Sequence, residues 1–354
     1  MISLDFAPIE LSRYELRLRA RGVSDLPAFL GSTLRGAFGH ALKEAVCVME
    51  HRDCERCMVA DRCIYPYLFE TPAPPDVRQL RGQQRAPHPF ILTPPVPDFE
   101  TRRVWSVPAA DATGQSTATM RTVAPSEQRR RLAAGDELEF GLLLMGRATE
   151  YLPYIVYAVS EMARRGLGAN RSRFELSDVS LIDGTGAKKV IYSGESQRIT
   201  VPKEAVSNLS DLVQSRLDQT DARDRLKLRF LTPTRIRVEG DLQTGLSFEL
   251  LARNLLRRIS MLAAVHGRAP LELDYRALIE RAATVMTHSS ELRWRDWERY
   301  SNRQKTKMKL GGFAGEIEYE GECMGEFLPL VIAGEILHVG AGTGFGLGRY
   351  EIAE

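Results

Sequence analysis

The spacing of apolar and polar residues marks out the elements of the chain. Tyr14 to Ala20 (YELRLRA) alternates with period two, which predicts a strand with one buried face. From about Pro27 to Val46 the period lengthens. Leu30, Leu34, Ala37, Phe38, Ala41, Leu42 and Ala45 share one side at about 100° per residue, the pattern of an amphipathic helix. Asp25 is its expected N-cap, and Pro27 suits its first turn. Ser32, Gly36, Gly39 and Lys43 lie opposite, with His40 at one edge of that polar side and Arg35 at the other. Strands are expected at 89–94, 137–145 and 173–182, with a helix at 151–165 between the last two. The stretch 101–126 has no period and reads as an irregular insertion. The second half repeats the order: a strand at 225–237, a helix at 248–265, an additional helix at 274–284, strands near 292–300 and 313–319, a helix at 327–337 and a last strand at 349–353.

Apart from the additional helix, each half reads β-α-β-β-α-β. The expected class is therefore α+β, with two tandem ferredoxin-like (RRM-like) domains. Residues 1–183 form the first, with a Cys-rich and Pro-rich insertion over about 47–135. Residues 184–222 are expected as a linker, and 223–354 as the second domain.

Composition narrows the class without deciding it. With 354 residues, 44% hydrophobic and 27% charged, the chain suits a globular protein with a sizeable core. No apolar run approaches the roughly 18 residues of a membrane span. The N-terminus lacks the basic-then-apolar order of a signal peptide, so a cytoplasmic location is expected. The net charge of +2 conceals basic clusters, such as Arg129–Arg131, that are compatible with a polyanion without demanding one.

Three stretches carry candidate chemistry. Cys47, Cys54, Cys57 and Cys63 lie within 17 residues in a chain with no secretory signal, which points to a metal knuckle rather than disulfides. Four thiolates suit tetrahedral zinc in a structural role, and an iron–sulfur cluster also takes four cysteines. His51 lies inside the same loop and is an alternative ligand. Next, Arg293, Arg295 and Arg299 are interleaved with Trp294, Trp297 and Tyr300, and followed by Arg303 and Lys305. Such a segment suits single-stranded RNA, whose bases stack on aromatic rings. Last, glycine occupies every second position from Gly340 to Gly348 (Gly340, Gly342, Gly344, Gly346, Gly348), directly after His338. Backbone amides of such a loop suit phosphates. A helix before the glycines and a strand after them is the reverse of a dinucleotide fingerprint, which argues against a Rossmann site.

Taken together, LGSTLRGAFGHALK with CERCMVADRCIYPYLFE, then RYSNRQKTKMKLGGFAGEIEY, then HVGAGTGFGLGRYEI make the chain resemble a known family. It is similar to the CRISPR-associated endoribonucleases of the RAMP superfamily that cut repeat-derived precursor RNA, in the branch with a cysteine-bearing insertion. The resemblance spans nearly the whole chain and agrees with the tandem ferredoxin-like reading. It implies a C-terminal glycine loop that binds the RNA backbone. It also implies cleavage without a metal: the ribose 2′-OH attacks the adjacent phosphate, leaving a 2′,3′-cyclic phosphate and a 5′-OH. That chemistry needs a base, an acid and cations for the developing charge. His40 stands where many members carry a catalytic histidine in or beside the first helix. Lys43 is then the candidate for stabilising the phosphorane, Arg35 for positioning the phosphate, and His338 the competing histidine. The implied partners are CRISPR repeat RNA (precursor crRNA) and other CRISPR effector subunits. A non-catalytic RAMP subunit that grips guide RNA is the alternative reading. A zinc-knuckle nucleic-acid binder without a CRISPR role is a third, and the tandem domains argue against it.

Overall fold

The computed structural model describes residues 5–6, 8–97, 102–106, 119–123, 129–202, 205–220, 224–296, 298–301 and 306–353. The first sheet is built around the strand Glu10–Ala20. Phe174–Ile182 and Glu137–Met145 flank it antiparallel, and Phe90–Thr93 pairs with the latter. The order is fourth, first, third, second strand, as in a ferredoxin-like unit. Helices α1 (Gly31–Val46) and α2 (Leu152–Arg165) cover one face. Leu16 and Leu18 of the central strand, Leu34, Phe38 and Leu42 of α1, and Ile155, Val159 and Met162 of α2 meet in one core. On the open face Arg17 stands opposite Glu139 and Asp178 and pairs with both, at 2.9 and 3.2 Å.

Helix α1 begins at Gly31, four residues after the expected Pro27. The correction has a local cause. Ser24–Pro27 is held as a short strand against Arg129–Leu132, and the Asp25 carboxylate binds Arg129 instead of capping a helix. Gly39, expected on the polar side, is buried against the Phe69 ring.

Residues 184–222 contain more than a linker. Lys188–Ser193 and Arg198–Ile199 extend the first sheet. Helix α3 (Leu209–Leu217) follows, its first turn closed by the Asn208 side chain accepting from the Asp211 amide. Leu209, Leu212 and Val213 of α3 join the core of the second domain.

The second sheet repeats the first. Arg225–Thr234 lies between Gly312–Glu320 and Tyr350–Ala353, with Met286–Ser290 on the outer edge. Helices α4 (Phe248–His266) and α6 (Met324–Leu337) pack behind it, and α5 (Tyr275–Ala282) is the additional helix. The strand expected near 292–300 is broken in two. Arg293–Arg295 pairs with the sheet, and Glu298–Ser301 forms a hairpin with Thr306–Lys309. No helix among the described residues is long and apolar enough to cross a membrane.

The domains join through shared apolar packing. Phe6, Ile9, Ile91 and Met145 from the first contribute to the core of the second. A smaller cluster of Ala28, Phe29, Leu310 and Leu347, with Phe345 against it, ties the entrance of α1 to the glycine loop.

Candidate nucleic-acid interface

The glycine loop is a packed element. It leaves α6 at His338, whose backbone is left-handed at φ 60°. The amides of Ala341, Phe345, Gly346, Leu347 and Gly348 donate to carbonyls within the protein. At Gly348 (φ 70°) a side chain would overlap the Val339 carbonyl, and at Gly346 (φ 80°) it would overlap Pro94. Gly344 differs. Its φ is not left-handed, and a Cβ there would lie 3.3 Å from His88 Cδ2 and 3.5 Å from Arg35 Nε. The alternation therefore has two causes: most of these glycines permit close packing on left-handed backbone, and Gly344 packs closely on two polar side chains that a Cβ would crowd.

Those side chains form the most developed polar constellation beside the loop. Arg35, on the first turns of α1, sets its guanidinium 4.5 Å from the Phe345 ring centroid and 5.2 Å from that of Phe69. Its Nη2 lies 2.8 Å from His88 Nε2, and His88 Nδ1 lies 2.8 Å from Thr71 Oγ1. His88 sits just before the strand Phe90–Thr93, with its ring stacked on Phe90. Burial, and then the Arg35 guanidinium, hold its pKa down to about 3, with Arg85, His266 and Arg258 adding to the effect. His88 did not stand out in the sequence. The one available signal was the Pro87–His88–Pro89 triplet directly ahead of an apolar run.

The junction continues across the domains. His266 of α4 donates from Nε2 to the Pro87 carbonyl at 2.7 Å, and burial lowers its pKa to about 4. Arg258, also on α4 and buried, donates from Nε to the Leu337 carbonyl at 2.9 Å, the last carbonyl of α6 before the glycine loop. That contact places a cation at a helix C-terminus, where the macrodipole favours it.

The sequence-derived candidates fall in several places. His40 is 72% exposed, with Nε2 3.3 Å from Glu44 Oε1. Gly31 abuts the Phe345 carbonyl. At 1.5 Å per residue, His40 lies roughly 13 Å further along the axis from that contact. Lys43 sets its ammonium 4.8 Å from the Tyr65 ring centroid, on the side of the cysteine loop. His338 is buried and donates from Nδ1 to the Leu347 carbonyl at 3.2 Å. Burial, then Arg258 and Arg349, lower its pKa to about 3. Of the four, Arg35 and His338 border the glycine loop, Arg35 at Gly344 and Phe345 and His338 at Leu347. Arg293 is exposed and Arg295 half-buried on the short strand, with Trp294 donating to Asp296 at 2.9 Å. The side chains of Arg299, Arg303 and Lys305 lie outside the described residues.

The cysteines share one loop. No residue of 47–63 is buried, and Val48 and Met58 are 83% and 87% exposed. All four thiols are half-buried and free. Burial raises the pKa of Cys63, and the neighbouring Cys57 and Cys47 sulfurs raise it further. The donor chemistry suits zinc. The present arrangement does not pre-form a site: among the described residues no three His, Cys, Asp or Glu are gathered to hold a metal ion. A bound ion would have to draw the loop together.

Comparison with known proteins fits this architecture. Residues 8–204 match the family model AF_1859_N, an N-terminal domain. Residues 228–350 match that of the CRISPR-associated endoribonuclease Cas6. An uncharacterized protein of Archaeoglobus fulgidus is 25% identical over 332 residues, 92% of each chain. Among solved structures, a Cas6 product complex is 16% identical, covering 97% of this chain and 99% of that one with a TM-score of 0.52. Thermus thermophilus Cas6 gives 16%, 98%, 99% and 0.50 for the same measures. A partial Cas6-RT-Cas1–Cas2 complex is 12% identical over 98% of this chain and 46% of that one, at 0.54. At these identities the structural likenesses speak to the fold.

Proposed function

We propose that this chain, which belongs to the AF_1859_N family through residues 8–204 and matches the Cas6 endoribonuclease model over residues 228–350, cuts CRISPR repeat RNA by metal-independent 2′-OH attack. The products are a 2′,3′-cyclic phosphate and a 5′-OH. The observation that carries this reading is the Arg35 guanidinium held between Phe345 of the glycine loop and His88, at the mouth of the domain junction. A phosphate is matched by a planar fork of donors. The imidazole beside it is a proton acceptor at neutral pH, and both proton transfer and charge stabilisation are needed for this reaction.

In this reading Arg35 positions the scissile phosphate. Lys43 and His40 serve RNA further along α1, and His338 shapes the loop from behind. Arg293 and Arg295 are proposed to extend the RNA track, with CRISPR effector proteins as further partners. The cysteine loop is proposed to take structural Zn²⁺ through Cys47, Cys54, Cys57 and Cys63. Incubation with the repeat RNA of its own locus, in EDTA, tests the function. Discrete cleavage within the repeat is expected. Tight binding with no cleavage would instead give the rival reading, a subunit that only grips guide RNA.

A further inference from the structure

Two tyrosines at one short helical turn each carry a cation on the ring. The turn is Pro66–Glu70, entered from Tyr65. Pro66, Leu68 and Phe69 are buried, which leaves Tyr65 and Tyr67 half-buried at its surface. Tyr65 takes the Lys43 ammonium from α1. Tyr67 meets a different set of partners. Its ring lies edge to face with Tyr151 and with His266 of α4, at 5.9 Å between centroids in each case. The Arg147 guanidinium lies 4.3 Å from the Tyr67 centroid and 5.8 Å from that of Tyr151. Arg147 belongs to the short turn Gly146–Tyr151, which presses on the end of α4 because Gly146 (φ 53°) has no side chain. A Cβ there would overlap the His266 carbonyl.

Along α2 the aromatic rings continue. Tyr154 and Tyr157 are 53% and 57% exposed, and they follow Tyr151 at intervals of about 4.5 Å along the axis. No Leu, Ile, Val or Met of α2 is exposed beside them, so the face lacks the apolar centre of a protein interface. Arg147 also differs from the arginines of the open sheet face. There Arg17 and Arg19 are matched by Glu137, Glu139 and Asp178. Among the described residues Arg147 has no carboxylate partner, and its neighbours are rings. It is exposed, so its charge is available to an anion from outside. We propose that this face binds a single-stranded stretch of the substrate RNA, with bases stacked on Tyr154 and Tyr157 and a phosphate held by Arg147. Stacking on rings and contact with phosphate are both tolerant of sequence, so the stretch needs no fixed composition. The site rests on the reading that the substrate is RNA, and it extends the path that Arg35, His40 and Lys43 begin on α1.

The test is equilibrium binding of repeat RNA with single-stranded flanks, carrying 2′-deoxyribose at the cut site, together with ultraviolet crosslinking and mass spectrometry. A nucleotide crosslinked within the tryptic peptide 148–164 is expected. The double variant Tyr154→Ala, Tyr157→Ala should bind about 30-fold more weakly or worse, from the lower end of what a stacked ring contributes per base. Tyr154→Phe, Tyr157→Phe keeps the rings and should bind like wild type. Arg147→Ala should weaken binding of all sequences alike and reduce the slope of log affinity against log salt by about 1. Arg276→Ala removes an equal charge from the exposed side of α5 and should bind like wild type. Wild-type affinity in the alanine double variant overturns the proposal, and a protein becomes the occupant that exposed tyrosines suit. No crosslink on that peptide, or equal losses for Arg147→Ala and Arg276→Ala, overturns it as well. A chain that binds and crosslinks as expected but leaves the all-ribose repeat RNA uncut overturns the cleavage reading and upholds this site.

Discussion

At the scale of single residues, the junction is unusual for its histidines. His88, His266 and His338 have pKa values lowered to about 3, 4 and 3, and the charged groups acting on them include arginines at each site. Burial is the first cause in every case, because removing an imidazolium from water disfavours the charged form. The sign of the linkage follows. Between about pH 6.5 and these folded values, the unfolded chain binds more protons than the folded one. Stability is therefore complete above the unfolded pKa and is lost as pH falls toward the folded values. Each such histidine steepens the loss by up to about 1.4 kcal/mol per pH unit, less for His88, which is only half-buried. Melting temperature should fall steeply from pH 6.5 to 4.5, and a His266→Gln, His338→Gln double variant should flatten that fall. A pH-independent melting temperature across this range would contradict the buried neutral histidines.

How much of the site could be read from sequence differs by residue. Arg35 was legible because a helix turns periodicity into faces, and it sits at the edge of one. The same argument selected His40, because periodicity reports a direction and not what lies there. In the fold that direction is solvent and Glu44. His88 was not legible. It belongs to an aperiodic, proline-rich excursion that only the folded chain returns to α1.

At the scale of elements, both open sheet faces are occupied by charge pairs. Arg17 with Glu139 and Asp178 in the first sheet is matched by Arg229 with Glu316 and Glu351 in the second. Such exposed pairs contribute little stability. They also occupy the faces on which an RRM would display aromatics, so the proposed RNA site is placed at the α1–glycine loop junction instead. The strand order of both units was legible from alternation and helical period, since two β-α-β-β-α-β passes admit few arrangements. The short strands and α3 within 184–222 were not, because two-residue strands carry no period.

The glycine loop gives a graded prediction. Gly348→Ala places a Cβ inside the Val339 carbonyl on left-handed backbone, and the backbone alone costs about 1–2 kcal/mol. Its melting temperature should drop clearly. Gly344→Ala should melt close to wild type yet cut RNA more slowly, because its Cβ crowds His88 and Arg35. Equal effects on melting would show that both are packing positions only. The cysteine loop gives another. With no buried residue between positions 47 and 63, that segment lacks an apolar anchor. Anaerobically purified protein should contain one Zn²⁺ per chain by elemental analysis, and Cys57→Ser should lose the metal and expose the loop to proteolysis. Substoichiometric metal would contradict the zinc assignment.

At the scale of the whole molecule, two ferredoxin-like units meet through a shared core, a small apolar cluster at the entrance of α1, and a polar seam from Arg35 to His266. The seam needs both domains: the first supplies Arg35, Thr71 and His88, and the second supplies the glycine loop and α4. In the proposed function, this arrangement would give RNA a site that neither half contains alone. The claim that rests on it is cleavage by the RNA's own 2′-hydroxyl. The most direct measurement is mass spectrometry of the 5′ fragment released from repeat RNA in EDTA, alongside a substrate carrying 2′-deoxyribose at the cut site. The account predicts a 2′,3′-cyclic phosphate on that fragment, and a deoxy substrate that binds with normal affinity and stays intact. A 3′-hydroxyl end, or cleavage of the deoxy substrate, would contradict it.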